Sequence, residues 1–359
     1  DLLKKRSYST IYLEEEGAYF SSISSGLTEK FLKSRFTTEI MAEDDYVATW
    51  GETQSSFYKN GAFYKDNIIN TGHPRFDLYN KKYRDFYKSD SDRFTKTYGN
   101  FILINTNYSL ANNHKGLKGI FTKSSIYNPK DKDLILDFSG RWSEQVERYS
   151  AMINLVFVLA LKFPSKTFVV RPHPGESEYT YVYIFKDLIN VIVSKESSVG
   201  SWLHGCECLI HDGCTTGLEA ALLEKEIINY NPVPLNYCNN ELLTEFGSKA
   251  KTTDEVVKLL ENTLSSGSYV SNHSDSLESV FGVLNNSKPD LEHISCDKIV
   301  DIVENMDKYK LKNSLLNYNY LIYLTFVPYF ISELCKELFF IFKNKNFARY
   351  NYKKSTAYG

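Results

Sequence analysis

Two strings decide how this chain folds: Thr167-Phe168-Val169-Val170-Arg171-Pro172-His173-Pro174-Gly175-Glu176 and Cys208-Leu209-Ile210-His211-Asp212-Gly213-Cys214-Thr215-Thr216-Gly217-Leu218-Glu219. Each begins with a short apolar run of the kind a strand covered on both faces shows, then turns polar, then opens a helix. In an open parallel sheet such loops sit at the carboxyl ends of the strands, in the crevice where ligands bind. Prolines on both sides of His173 hold the backbone extended and remove two donors, so Pro172 and Pro174 present the imidazole in a fixed direction. In the second string Gly213 permits close backbone approach, and Thr215 and Thr216 can cap a helix running from Gly217 to Leu223. Free N–H groups at such a helix start attract phosphate. His173 is the candidate to hold or protonate a leaving phosphate near neutral pH. Arg171 either pairs the same phosphate or locks Glu176. His211, Gly213, Thr215 and Thr216 complete the expected phosphate site, with Glu219, one turn into the helix, placed to reach a ribose hydroxyl.

The alternation continues outward from these strings. Phe101 to Ile104 reads as a strand ending in Asn105-Thr106-Asn107, and Trp142 to Phe163 as a helix whose apolar residues recur at three and four, stopped by Pro164. A helix over Tyr179 to Leu188, a strand over Val191 to Val193, a helical turn near Ser201 and a strand over Glu226 to Tyr230 follow. This order predicts a doubly wound parallel sheet with right-handed crossovers. Upstream, strands over Ser9 to Leu13, Tyr46 to Trp50 and Asn67 to Thr71, with a helix from Glu52 to Lys59, have the spacing of half a Rossmann layer. The fold class expected is therefore α/β with two Rossmann-like domains. Residues 1–97 form the first, 98–264 the second, and 265–359 a helical tail. Lys81 to Lys96 reads as a charged helical connection, and Asn113 to Lys132 as a polar lid or acceptor-facing insertion. Because the chain starts without Met and enters mid-domain, the first domain is expected to be truncated at its N terminus.

Composition narrows the function classes. A length of 359 residues suits two domains at roughly 150 residues each. The formal charge of −2 makes no electrostatic case for nucleic acid. Six cysteines are sparse for this length and read as packed thiols rather than a disulfide framework. Cys206 and Cys208, with His204 and His211, raise the question of zinc, but no second ligand pair follows, so no metal is expected. Asp1-Leu2-Leu3-Lys4-Lys5-Arg6 is too polar to hold the apolar region of a signal peptide. Leu321 to Phe342 is apolar and aromatic, yet Glu333, Lys336 and Glu337 interrupt it. Two readings stand for it: an interfacial helix with a basic flank for anionic lipid, or a helix packed across both domains.

Candidates in the first half are weaker. Glu14-Glu15-Glu16-Gly17, at a strand end, is either a solvated turn or a source of a general acid or base in the cleft, Glu16 first and Glu15 next. His73 and Arg75 either reach the cleft on the acceptor side or belong to a helix start. Walker, GxGxxG and G-x-S-x-G patterns are absent, which removes the usual signatures of NTP hydrolysis, dinucleotide redox chemistry and serine hydrolysis.

Glu-Glu-Gly near the start, Thr71-Gly72-His73-Pro74-Arg75-Phe76-Asp77, Ile104-Asn105-Thr106-Asn107, Arg171-Pro172-His173-Pro174 and His211-Asp212-Gly213-Cys214-Thr215-Thr216-Gly217-Leu218-Glu219-Ala220 together resemble the bacterial surface-carbohydrate biosynthesis proteins. These are GT-B glycosyltransferases related to the capsule and O-antigen Kdo transferases. The resemblance covers roughly residues 10 to 235. It implies a metal-independent transferase with no cofactor beyond a nucleotide-sugar donor, CMP-linked by the further likeness to sialyltransferases. It also implies a lipid- or glycan-linked acceptor and a peripheral place on the inner face of the bacterial cytoplasmic membrane. Under it, His173 and the Thr215-Thr216 helix bind the nucleotide phosphate, Glu219 the ribose, and Glu15 or Glu16 acts in acid-base chemistry. The carboxylate nucleophile of retaining Kdo transferases has no clear counterpart. Asn105 and Asn107 occupy a strand end where it would stand, and Asp137 and Asp212 are the substitutes. Two rivals remain open: a polyol-phosphate transferase like those of teichoic-acid assembly, and a non-catalytic glycan- or nucleotide-binding subunit.

Overall fold

A computed structural model describes residues 9–13, 32, 36, 38–123, 127–234, 236–237, 244–266, 273, 275–278 and 294–310. Residues 1–300 form one compact unit and 301–359 another. The first unit holds two parallel sheets. The smaller has the order β1 (Ile11–Leu13), β2 (Tyr46–Thr49), β3 (Ile68–Asn70), with helix α1 (Glu52–Gly61) crossing between β2 and β3 and the short α2 (Pro74–Asp77) following. Helix α3 (Lys88–Tyr98) then leads into β4 (Phe101–Asn105), and α4 (Gly116–Ile120) and α5 (Lys132–Lys162) lead to β5 (Thr167–Arg171). After α6 (Glu178–Ile184), β6 (Val191–Val193) and α7 (Val199–Gly205) come β7 (Cys208–His211), α8 (Thr215–Leu222), β8 (Glu226–Tyr230), β9 (Ser248–Ala250) and α9 (Thr253–Ser266). Helix α10 (Ser295–Lys310) runs into the second unit.

The larger sheet is ordered β6-β5-β4-β7-β8-β9, all parallel. Renumbered from its own first strand this is 3-2-1-4-5-6, the doubly wound order, and the direction of winding reverses between β4 and β7. The α/β class with two parallel layers expected from sequence is the class observed. Apolar strand residues fall on alternate faces, as the two-residue period requires. Phe101, Leu103, Val169 and Leu209 join one core with Trp50, Phe76, Tyr79, Phe94, Trp202 and Phe246, so that core spans both sheets. Ile102, Ile104, Phe168, Val170 and Ile210 join the other core, under α5.

Several boundaries differ from the sequence expectation, each for a local reason. Helix α5 starts ten residues before Trp142, where the Asp131 carboxylate accepts from the backbone N–H of Asp133 and Leu134, both at 3.1 Å. Gly140 lies inside it because a Cβ there would fall 2.3 Å from the Tyr237 ring. The segment read as a charged connection contains α3, whose Phe94 stacks on Trp202 of α7 at 3.7 Å between ring centroids. Strand β9 carries no apolar run and gave no sequence signal. Leu321 to Phe342, Cys238, Cys335, Glu15 and Glu16 lie outside the described residues. Among the described residues no helix is long and apolar enough to cross a membrane.

Candidate functional site

Strand ends fix what the site contains. The last residues of β4, β5 and β7 are Asn105, Arg171 and His211; Asn105 is level with Arg171 across the sheet, and His211 stands one step beyond the Ile104–Ile210 pair. By alternation all three share the face of Leu103, Val169 and Leu209. Asn105 is only 4% exposed, yet its Oδ1 has no hydrogen-bond partner. A buried amide oxygen in that state goes without about 1–3 kcal/mol of interaction. It sits where the sheet reverses direction, the position at which this architecture takes ligands.

His173 crowns the adjoining loop. Its ring is solvent-exposed, and its Nδ1 accepts the Gly175 N–H at 3.1 Å. A neutral ring so bonded carries its proton on Nε2, facing outward. Crowding by protein on the inner side, and the cations Lys195 and Arg171, hold its proton affinity below the ordinary histidine value. Lys195, just after β6, is tied down by the carbonyls of Pro174, at 3.3 Å, and Glu176. Burial lowers its affinity as well. The Arg171 guanidinium donates to the Ser197 carbonyl at 2.8 Å and does not lock Glu176. That function falls to others: the fully buried Glu176 carboxylate accepts from the Thr106 hydroxyl, the Tyr108 N–H, the His173 N–H and the Tyr181 hydroxyl. Glu176 therefore stitches the loop after β5 to the loop after β4. Burial raises its proton affinity, against the pull of those donors.

The loop after β7 is built differently from its sequence reading. His211 is wholly buried beneath α8; its Nδ1 accepts the Cys214 N–H at 3.3 Å, and its Nε2 lies 3.2 Å from the Phe246 carbonyl. Desolvation holds its proton affinity down to about 4. It braces the loop and does not face a phosphate. Gly217 lies against the ring, and Gly213 takes the left-handed φ of +56° that turns the chain into α8. Cys214 occupies the cap position expected of the threonines, while Thr215 and Thr216 are half-buried and the Thr216 hydroxyl lies 2.6 Å from the Cys214 sulfur.

Asp212, a candidate nucleophile, points to the opposite face. Its Oδ2 accepts from the Tyr108 hydroxyl and from Arg148 Nε, both at 2.8 Å, and its Oδ1 lies 2.6 Å from Arg148 Nη2. Arg148 Nη1 is 3.8 Å from Glu144, whose other oxygen accepts the N–H groups of Asn236 and Tyr237 at 2.7 and 2.9 Å. A buried carboxylate clamped in this way anchors the loop rather than attacking a substrate. Glu219 is likewise occupied: the Tyr79 hydroxyl donates to it, and Arg75 Nε lies 3.7 Å away, so it ties α8 to the segment after β3 instead of presenting itself to a ribose. His73 caps α2, its Nδ1 accepting the Arg75 N–H at 3.1 Å, with its ring 4.6 Å from that of Trp50. Burial and Arg75 push its proton affinity down to about 3, so it stays neutral. Asn107 is half-buried in the loop beyond Asn105. Asp77, also from this segment, accepts the Ser295 and Cys296 N–H groups at the start of α10, at 3.0 and 2.8 Å. Pro174 is exposed beside His173.

Cys206, Cys208 and Cys214 are free and buried, and among the described residues no group of His, Cys, Asp and Glu is arranged to hold a metal. The sequence reading missed Lys195, Tyr108, Arg148 and His114. Only Arg148 gave a signal, as a charge, one turn from Glu144, on the side of α5 that buries Met152, Leu155 and Leu159.

No family profile and no curated protein matches this chain. Among solved structures, one similar chain is the wall teichoic acid polymerase TagF, at 14% identity and a TM-score of 0.43, over 79% of this chain and 63% of that one. Another is UDP-GlcNAc 2-epimerase from Methanocaldococcus jannaschii, at 12% identity and 0.46, over 85% and 78%. The same epimerase from Neisseria meningitidis aligns at 11% identity and 0.40, over 72% and 61%. The chain spans less than two thirds of the polymerase's length. The order of its own strands and the groups at their ends carry the functional reading.

Proposed function

We propose that the chain is a glycosyltransferase that binds a nucleotide-activated sugar at the carboxyl edge of the larger sheet and transfers the sugar to a lipid- or glycan-linked acceptor of the bacterial surface. The observation that carries this reading is the grouping of His173 Nε2–H with Lys195 and Arg171 at the carboxyl ends of β5 and β6, next to β4, where the strand order reverses. Cations and outward N–H donors on a stiff loop suit a leaving phosphate. A CMP-linked donor of the Kdo class is the specific form of the proposal, and the acid-base role stays with Glu15 or Glu16. The acceptor is taken from the side of the smaller sheet, and the protein works peripherally at the inner face of the cytoplasmic membrane.

The test is a thermal-shift screen against CMP, CDP, UDP and GDP, followed by product analysis. A ligand at about 100 times its Kd stabilises the native state by about 2.7 kcal/mol. CMP is expected to raise the melting temperature, and His173→Ala to abolish transfer without unfolding the chain. A chain indifferent to all four nucleotides sinks the proposal. A phosphodiester in the product would replace it with polyol-phosphate transfer of the teichoic-acid kind.

A further inference from the structure

One residue, Gly175, fixes the protons of two histidine rings in opposite senses. Its N–H donates to His173 Nδ1 at 3.1 Å. Its carbonyl oxygen receives both the backbone N–H and the ring Nδ1 of His114, each at 3.0 Å. A carbonyl can only accept, so His114 must carry a proton on Nδ1, and in the neutral ring Nε2 is then a bare acceptor. An N–H can only donate, so neutral His173 must carry its proton on Nε2. The two loops are also zipped together independently of the rings: Ser177 N–H donates to the Asn112 carbonyl at 2.8 Å, Asn112 Nδ2 to the Ser177 carbonyl at 2.9 Å, and Asn113 bridges Glu176. Both residues are exposed at this edge of the sheet.

The geometry points to His114 as a second ligand-binding imidazole, of opposite polarity to His173. His114 Nε2 accepts from a substrate hydroxyl, while His173 Nε2–H donates to a phosphate oxygen. The ligand class is accordingly a phosphate ester or anhydride used together with a free hydroxyl, either on the same molecule or on the incoming acceptor. If that hydroxyl is the acceptor's, His114 takes the base role otherwise given to Glu15 or Glu16: the proton passes to His114 Nε2 as the hydroxyl oxygen bonds to the transferred sugar carbon. The bond from that carbon to the donor phosphate breaks, and its electron pair leaves on the phosphate oxygen. This inference deepens the transferase reading and rests on it for the identity of the ligand, but the polarity of the two rings does not.

The first experiment needs no ligand. Long-range nitrogen–proton spectra of the full chain labelled with nitrogen-15 histidine, assigned by the loss of signals in His114→Asn and His173→Asn, should show His114 protonated on Nδ1 and His173 on Nε2. Finding His114 protonated on Nε2, or both rings in one tautomer, overturns the inference. The second experiment uses the side-chain amide of asparagine, which can replace the Nδ1–H donor of histidine but offers nothing at Nε2. With the donor found by the nucleotide screen, His114→Asn should lose about 100-fold in turnover, within the range for a positioned acid-base group, with CMP affinity unchanged if the hydroxyl is the acceptor's and weakened if it is the nucleotide's own. Wild-type turnover in His114→Asn would mean that His114 only braces Gly175. If no nucleotide binds the wild-type protein, the transferase proposal falls, and the tautomer result still decides this inference.

Discussion

Replacing Arg148 by Met tests whether Asp212 is an anchor or a reactive group. Arg148 meets both Asp212 oxygens, at 2.8 and 2.6 Å, and both side chains are buried. Methionine preserves most of the packing volume and removes the charge. Breaking a buried ion pair on one side costs about 3–5 kcal/mol, because the remaining charge is left unsolvated. Tyr108 still donates to Asp212, so the lower end, about 3 kcal/mol, is expected. Asp212→Asn should cost less, about 1–3 kcal/mol, since Arg148 keeps Glu144 nearby. Combining the two removes both charges, and the double variant should be more stable than Arg148→Met alone. Urea unfolding followed at constant slope reads all three differences. An Arg148→Met protein within about 1 kcal/mol of wild type, or a double variant whose loss is the plain sum of the singles, would refute the anchor assignment.

Two further predictions concern histidines that the sequence offered as site residues. His73 and His211 have folded values of about 3 and about 4 against an ordinary value of 6.5. Their neutral forms therefore support the fold fully above pH 6.5, and that support is lost as pH falls through the window below it, because only the unfolded chain takes up the protons. At pH 5 each contributes a loss of about 2 kcal/mol. His211→Gln should flatten the fall in urea stability between pH 8 and 5, and an unchanged slope would count against it. Gly217→Ala would place a Cβ 2.5 Å from His211 Cε1. The roughly 1 kcal/mol gained in helix propensity is smaller than the 1–3 kcal/mol cost of overpacking, so net destabilisation is expected in thermal or urea unfolding. A more stable variant would contradict it.

Strands β4, β5, β7 and β8 were legible in the sequence because covered parallel strands are continuous apolar runs, and the prolines around His173 marked a stiff loop on local grounds alone. The roles of Asp212, Glu219 and His211 were not legible. Their partners come from far along the chain: Arg148 is 64 residues from Asp212, and Tyr79 is 140 from Glu219. A polar string at a strand end reads alike whether it faces a ligand or a buried cation. Which face each residue takes depends on register, and register separates Asn105 and Arg171 from Asp212 by a single step. His114 escaped notice because its partner is a backbone carbonyl on another loop, which leaves no pattern in side-chain spacing.

The apolar core that joins Trp50, Phe76 and Tyr79 to Phe94, Trp202 and Phe246 belongs to both sheets at once. Swinging one sheet away from the other would expose those rings to water, at about 25 cal/mol for every Å² uncovered. The smaller layer is thus welded to the larger rather than hinged on it. Ligand entry should then follow simple second-order kinetics up to high concentration, with no plateau from a slow rearrangement.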